Sequence, residues 1–234
     1  MNELLTLLSK YNFTRLGHKL GDPIVVNCVP GAGKTTLIRE LLASSDSFIA
    51  YSTVRADPPN LTGRRIEKLP TELPKGKFIV LDEYQNLKDL PSGLFAVFGD
   101  PLQSLTPLNL PATFITTNTH RFGKSTCSIL NTLDFKIESS KEDLVVVEDI
   151  FKGELEGTVI CFESEVASLL NRHAVEFLLP CEFQGETFKV VTFVTSGVIN
   201  LSNKSKHLIC LTRHSEKLKI LCPNADYPKI EQCL

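Results

Sequence analysis

The sequence predicts an α/β protein of two similar lobes, each built on a parallel sheet. Three observations lead there: short apolar runs of strand length, helical or irregular crossovers between them, and a glycine-rich turn set between one such strand and a helix. The 234 residues suffice for two modest domains, each with its own core. At 42% hydrophobic and 22% charged, the balance is that of an ordinary globular protein.

Leu4, Leu5, Leu7 and Leu8 make one stripe of a short N-terminal helix, with Phe13, Leu16 and Leu20 following less regularly. Residues 23–29 read as a buried strand, 30–34 as a turn and 35–42 as a helix. Further strands are expected at 47–53, 78–81, 94–98 and 113–117. Pro58, Pro59, Pro70 and Pro74 make the stretch before the third strand mainly loop, with one helical turn at 64–69. A second series begins near Asn118, with a helix at 124–133 and strands at 144–147, 158–162, 176–179 and 188–194. A helix at 163–171 and a last strand at 218–222 complete it. The lobes are thus expected at 1–118 and 119–234.

The net charge of -2 supplies no global basic field, so a nucleic-acid site has to come from local patches. The apolar runs are too short to cross a bilayer, and the N-terminus lacks the basic start and continuous apolar block of a signal peptide. Seven cysteines without a CxxC pair predict reduced, mostly buried thiols in a cytosolic protein. Cys161, His173 and Cys181 are too scattered to read as a zinc site.

Pro30-Gly31-Ala32-Gly33-Lys34-Thr35-Thr36 lies between a predicted strand and a predicted helix. In that context the glycines let backbone N–H groups close around phosphates, and the helix N-terminus adds positive potential. Lys34, expected to be exposed so that its removal spares the fold, reaches the β/γ oxygens, and Thr35 offers a hydroxyl to Mg²⁺. The full P-loop pattern has another glycine three residues before Gly31, where this chain has Cys28. Downstream, the apolar run Phe78 to Leu81 ends in Asp82-Glu83. This is a Walker B arrangement, with Asp82 as a Mg²⁺ ligand and Glu83 placed to orient or deprotonate water. The pair points to hydrolysis of ATP, and because the first 30 residues hold no glutamine to grip adenine, other NTPs are expected to be accepted as well.

The pattern then continues in a particular order. Gly99-Asp100-Pro101-Leu102-Gln103 resembles the GDxxQ element of superfamily 1 helicases, and Thr119-His120-Arg121-Phe122 the element after it. Gln184-Gly185-Glu186-Thr187-Phe188 is similar to their QGxTF element, and Leu211-Thr212-Arg213-His214 to their final ALTRH. The ordered set resembles the viral branch of superfamily 1, and within it the first protein of the plant-virus triple gene block, as in potexviruses and carlaviruses. The resemblance implies a minimal helicase core of two RecA-like lobes. It implies that Gln103 senses the γ-phosphate and that Arg121 and Arg213 reach it from lobe two. It also implies cell-to-cell movement of viral RNA in the host cytoplasm, suppression of RNA silencing, and self-association or contact with other viral movement proteins.

Two basic clusters are candidates for a groove holding single-stranded RNA: Arg55, Arg64, Arg65, Lys68, Lys75 and Lys77, then Lys204, Lys206, Arg213, Lys217 and Lys219. Trp is absent and aromatics are 8%, so sequence-independent binding is expected rather than a stacking platform. A P-loop kinase is a rival that leaves Gln103, Arg121, Gln184 and Arg213 unexplained. The other rival is an RNA-binding, self-assembling movement protein in which hydrolysis is secondary.

Overall fold

The computed structural model describes residues 2–17, 19–104, 108 and 110–230. The chain divides into two compact units, Met1–Asn118 and Thr119–Leu234.

Unit one begins with α1 (Asn2–Lys10), which buries Leu4 and Leu8, one helical turn apart. There follow β1 (Thr14–Arg15), β2 (Ile24–Cys28), α2 (Lys34–Ser44), β3 (Phe48–Ser52), β4 (Ile66–Lys68), β5 (Phe78–Asp82), β6 (Ala96–Gly99) and β7 (Phe114–Thr116). The sheet has seven strands in the order β1-β7-β2-β6-β5-β3-β4. All neighbours are parallel except β1 and β7. Central strands covered on both faces are apolar on successive residues, which is why β6 and the first three residues of β2 read as continuous hydrophobic runs rather than alternating ones. The order also sets β2, β6 and β5 side by side, so three consecutive carboxyl ends share one rim. Open parallel sheets bind ligands outside that rim.

The stretch 64–69 holds no helical turn. Ile66–Lys68 is β4, paired in parallel with β3 through Ala50↔Ile66, Tyr51↔Glu67 and Ser52↔Lys68. Three residues carry no readable period. The decision is made by β3, whose edge needs partners, and by the burial of Ile66.

Unit two contains α3 (Lys124–Thr132), β8 (Leu144–Asp149), β9 (Thr158–Ile160), α4 (Ser164–Arg172), β10 (Phe188–Val194), β11 (Val198–Ile199), α5 (Lys204–Leu211), β12 (His214–Cys222) and β13 (Lys229–Ile230). Its main sheet is fully parallel in the order β8-β12-β10-β9, and β11 pairs with β13. The expected strand at 176–179 is a single rung in which Leu178 bridges Ile160. Val175, Phe177 and Leu179 do alternate as in a strand, but they pack against the cluster of Val159, Cys161, Val166 and Leu170, and Pro180 ends the run. The expected strand at 218–222 begins at His214 and runs for nine residues between β8 and β10. Its polar start, Ser215-Glu216-Lys217, hides it from an apolar reading. Helix α5, which no strong periodicity announces, buries His207, Leu208, Cys210 and Leu211.

Candidate active site

The turn after β2 needs glycine at two positions. Gly31 has φ 78° and Gly33 φ 87°, conformations that side-chain-bearing residues rarely adopt. Between them Ala32 is buried and donates its N–H to the Val29 carbonyl at 3.3 Å. Gly33 caps α2 without a side chain, so the first N–H groups of this 11-residue helix open toward the rim. Pro30 is buried ahead of the turn, Thr35 is half-buried in the first turn of α2, and Thr36 is exposed. Cys28 explains its own departure from the glycine pattern. It is still in β2, in register with Thr116 of β7, and its thiol donates to the Gly99 carbonyl at 3.6 Å. Ordinary strand backbone there makes no demand for glycine.

Lys34 is not exposed, contrary to expectation. Its side chain retains 14% of its exposure, with Nζ 3.1 Å from Asp82 Oδ1 and ion-paired to Glu83 Oε1. Burial opposes its charge, but Asp82 and Glu83 outweigh that and hold its pKa above the usual lysine value. Asp82, the last residue of β5, is buried, and burial lifts its pKa to about 6 against the pull of Lys34. Glu83 adopts a left-handed conformation, φ 60° and ψ 40°. Such a conformation costs about 1–3 kcal/mol in a residue with a side chain. Four backbone bonds hold it: its N–H donates to Asp82 Oδ1 (3.0 Å), and its carbonyl accepts from Thr53 Oγ1 (2.7 Å), Asn86 Nδ2 (3.3 Å) and the Asn86 N–H (3.3 Å).

Behind these groups lies a polar layer that the sequence reading missed. Gln85 is buried, with Nε2 donating to Glu83 Oε2 at 2.5 Å and Oε1 accepting the Asp100 N–H at 3.2 Å. Asp100, at the end of β6, accepts from the Leu102 N–H (3.1 Å) and from Gln103 Nε2 (2.7 Å). Burial raises the Asp100 pKa to about 7. Tyr84 is buried beside them and donates its hydroxyl to Asn27 Oδ1 at 2.7 Å. The rim of unit one thus brings together the 30–36 turn, Lys34, Asp82, Glu83 and, through Asp100, Gln103. A buried carboxylate at the rim that is already paired with a cation suits a divalent ion. Among the described residues no three His, Cys, Asp or Glu side chains form a metal cage. A cation at Asp82 would therefore draw its other ligands from the Thr35 hydroxyl and from phosphate.

In unit two the three remaining elements converge. Arg121 Nη1 donates to the Thr212 carbonyl at 3.1 Å, and the Phe188 N–H donates to the Arg213 carbonyl at 2.8 Å. Arg213 is only 3% exposed, with Nε donating to the Ile209 carbonyl (3.1 Å), Nη1 to that of Glu186 (3.5 Å), and the guanidinium 5.9 Å from the Phe183 ring centroid. Gln184 and Gly185 are exposed at the tip of the preceding turn, where Gly185 has φ 82°.

Next to Arg213, His214 Nε2 lies 3.0 Å from Asp143 Oδ2 and 3.1 Å from Thr126 Oγ1, with no exposed surface on the His214 or Asp143 side chain. Asp143 Oδ1 also accepts the Ser125 N–H at 2.9 Å and so ties down the start of α3. Burial works to raise the Asp143 pKa, but bonds from His214 and Thr126 prevail and hold it below the ordinary carboxylate range. Asp143→Ala is expected to destabilise unit two by about 3–5 kcal/mol, the usual loss when one partner of a buried pair is removed. A folded-state pKa below the reference of 3.8 means that this contribution is present above that pH and lost as pH falls below it. Denaturant melts of the wild type and Asp143→Ala at pH 7 and near pH 3 check both statements, since the gap between them should narrow in acid.

The second basic cluster does not form a groove of free cations. Arg213 and Lys219 are buried, Lys219 pairs with Glu148 Oε2 (3.0 Å) and Glu156 Oε1 (3.1 Å), and Lys217 pairs with Glu156. Of the first cluster Arg55, Arg64, Lys68, Lys75 and Lys77 are exposed, though Arg64 pairs with Asp46 and Lys77 donates to the Asp46 carbonyl at 2.7 Å. Arg65 is half-buried, 3.4 Å from Glu67.

A family model for the viral superfamily 1 RNA helicase core domain matches residues 24–222. The chain is 49% identical over 232 residues to the movement and silencing protein TGBp1 of Poplar mosaic virus, covering 97% of this chain and 99% of that protein. It is 43% identical to the protein of the same name from Lily symptomless virus, with the same coverage. Papaya mosaic potexvirus has one 37% identical, covering 95% of this chain and 96% of that protein. Among solved structures, the arterivirus nonstructural protein 10 helicase bound to DNA aligns with TM-score 0.64 at 19% identity, and the PRRSV helicase with 0.62 at 20%. Each alignment covers 85% of this chain but only 60% and 52% of those helicases, so the likeness is one of core fold.

Proposed function

The chain belongs to the viral superfamily 1 RNA helicase family, and on that basis we propose that it is a Mg²⁺-dependent nucleoside triphosphatase that works on single-stranded RNA. The observation that carries the reading is the clamp of Lys34 between Asp82 and Glu83 on the rim of a parallel sheet. In this reading backbone N–H groups around Gly31 and Gly33 grip the phosphates, and Lys34 turns from Glu83 to the β/γ oxygens. Glu83 then accepts the proton of the attacking water while Gln103 faces the γ-phosphate. A magnesium ion, with Thr35 and Asp82 as its protein ligands, would supply neutralisation of phosphate charge. The proposal extends to a role in viral RNA movement and silencing in the host cytoplasm, with self-association and other viral movement proteins as partners.

The test is phosphate release by the purified chain with Mg²⁺, with and without single-stranded RNA, which is expected to stimulate turnover. RNA binding without hydrolysis would favour the second reading, an assembling movement protein, for which the naming of the relatives speaks. The nucleobase should matter little. The first 30 residues contain no glutamine to grip adenine through an amide donor and acceptor. GTP turnover is therefore expected within about tenfold of ATP, or ~1.4 kcal/mol, and an ATP preference of several orders of magnitude would contradict this.

A further inference from the structure

We propose that Gln85 is a positioning residue that presents one chosen oxygen of Glu83 to the attacking water and couples it rigidly to Gln103; this rests on the hydrolase reading above. Gln85 follows β5 in the 3-10 turn Tyr84–Asn86 and is 3% exposed. Its amide can point only one way. The Asp100 N–H is a donor, so the atom facing it must be Oε1, and Nε2 is left to donate to a carboxylate, which only accepts. Glu83 Oε2 is thereby held by Gln85, while Oε1 is the oxygen that Lys34 engages. When Lys34 is drawn to phosphate, Oε1 loses the ammonium and Oε2 keeps its amide. Oε1 then takes the water proton as the water oxygen bonds to phosphorus and the bond to the departing diphosphate breaks.

The path across the sheet rim is built for this bridge. A Cβ at Gly99 would lie 2.5 Å from Gln85 Oε1 and 2.7 Å from Tyr84 Cδ1, so position 99 must be bare for Gln85 to reach the Asp100 N–H. Asp100 then holds Gln103 Nε2 at 2.7 Å. The result is one continuous chain, Glu83–Gln85–Asp100–Gln103, in which movement of Gln103 on meeting phosphate is transmitted to the base. Buried networks of this kind behave as units and not as separate bonds.

A double-mutant cycle on the full chain tests it. Gln85→Met keeps the length and removes both bonds. It is expected to lower kcat at saturating ATP by about 10²-fold, the lower range of a general base's contribution, with KM within about threefold. Gln85→Glu keeps the acceptor for Asp100 but faces carboxylate to carboxylate, and should be slower than Gln85→Met although nearly isosteric. In a Glu83→Gln background, measured by single turnover, Gln85→Met should change the rate less than about twofold. If Gln85 merely supports the fold, the losses will follow melting temperature and will add to that of Glu83→Gln, which overturns the proposal. Wild-type kcat in folded Gln85→Met overturns it too. Phosphate release by the unsubstituted chain is measured first; its absence removes the hydrolase reading itself, and this role with it.

Discussion

Lys34→Ala is expected to lower nucleotide hydrolysis at least about 10³-fold, beyond the loss seen when a single preorganised donor to a developing oxyanion is removed. The side chain carries the positive charge that ion-pairs with both Asp82 and Glu83 on the rim of unit one. A methyl group can neither bind phosphate oxygens nor separate the two acids. Because Lys34 is mostly buried, the substitution also reaches the fold. It leaves two neighbouring carboxylates facing each other, and a loss approaching about 3 kcal/mol is expected from the broken pair. Activity therefore has to be read well below the melting point of the variant, with the folded fraction followed by circular dichroism. Wild-type turnover per folded molecule would remove the 30–36 turn from the active site and with it the hydrolase reading.

Arg213→Ala is expected to lower kcat by roughly 10³–10⁵-fold, the range for removal of an arginine finger, equivalent to about 4–7 kcal/mol of barrier. A contact made chiefly as charge builds in the transition state leaves KM little changed. Burial adds a second effect, because the substitution removes the bonds to the Ile209 and Glu186 carbonyls and empties the space beside Phe183. Arg213→Lys should recover only part of the rate, since a point charge cannot serve Ile209 and Glu186 together in the way that a planar fork does. At 3% exposure Arg213 has to leave the Ile209 and Glu186 carbonyls to meet any phosphate; if it does so only for nucleotide, salt-sensitive RNA binding survives its loss. Basal turnover, nucleotide affinity, RNA affinity and melting temperature measured on one preparation separate these roles. Intact basal turnover with a lowered melting temperature would make Arg213 a strut of unit two.

The features legible in advance share a local cause. Gly31 and Gly33 could be placed because a tight turn between a strand and a helix needs left-handed backbone, and Asp82 and Glu83 because four apolar residues mark the strand that carries them. Parallel sheets were legible because strands covered on both faces are apolar on successive residues. The helix at α2 and the strands β2, β3, β5, β6 and β7 followed within a few residues of their observed ends. Short edge elements were not legible in this way: β4 exists because β3 offers it a partner, and 176–179 shows strand alternation that goes into packing.

By itself the sequence determined the α/β class, the glycine-rich turn and the acidic strand end, since each depends on residues adjacent in the chain and on the conformations they allow. Tertiary structure alone decided which polar groups meet. Asp143 finds His214 across 71 residues, Lys34 finds Glu83 across 49, and Gln85 reaches Asp100 because Gly99 leaves the way clear. It also turned two supposed RNA-binding cations, Arg213 and Lys219, into buried partners of carbonyls and carboxylates. The physical reason is that a buried charge or amide must be satisfied by whatever the fold brings to it, and no local pattern of residues records that partner.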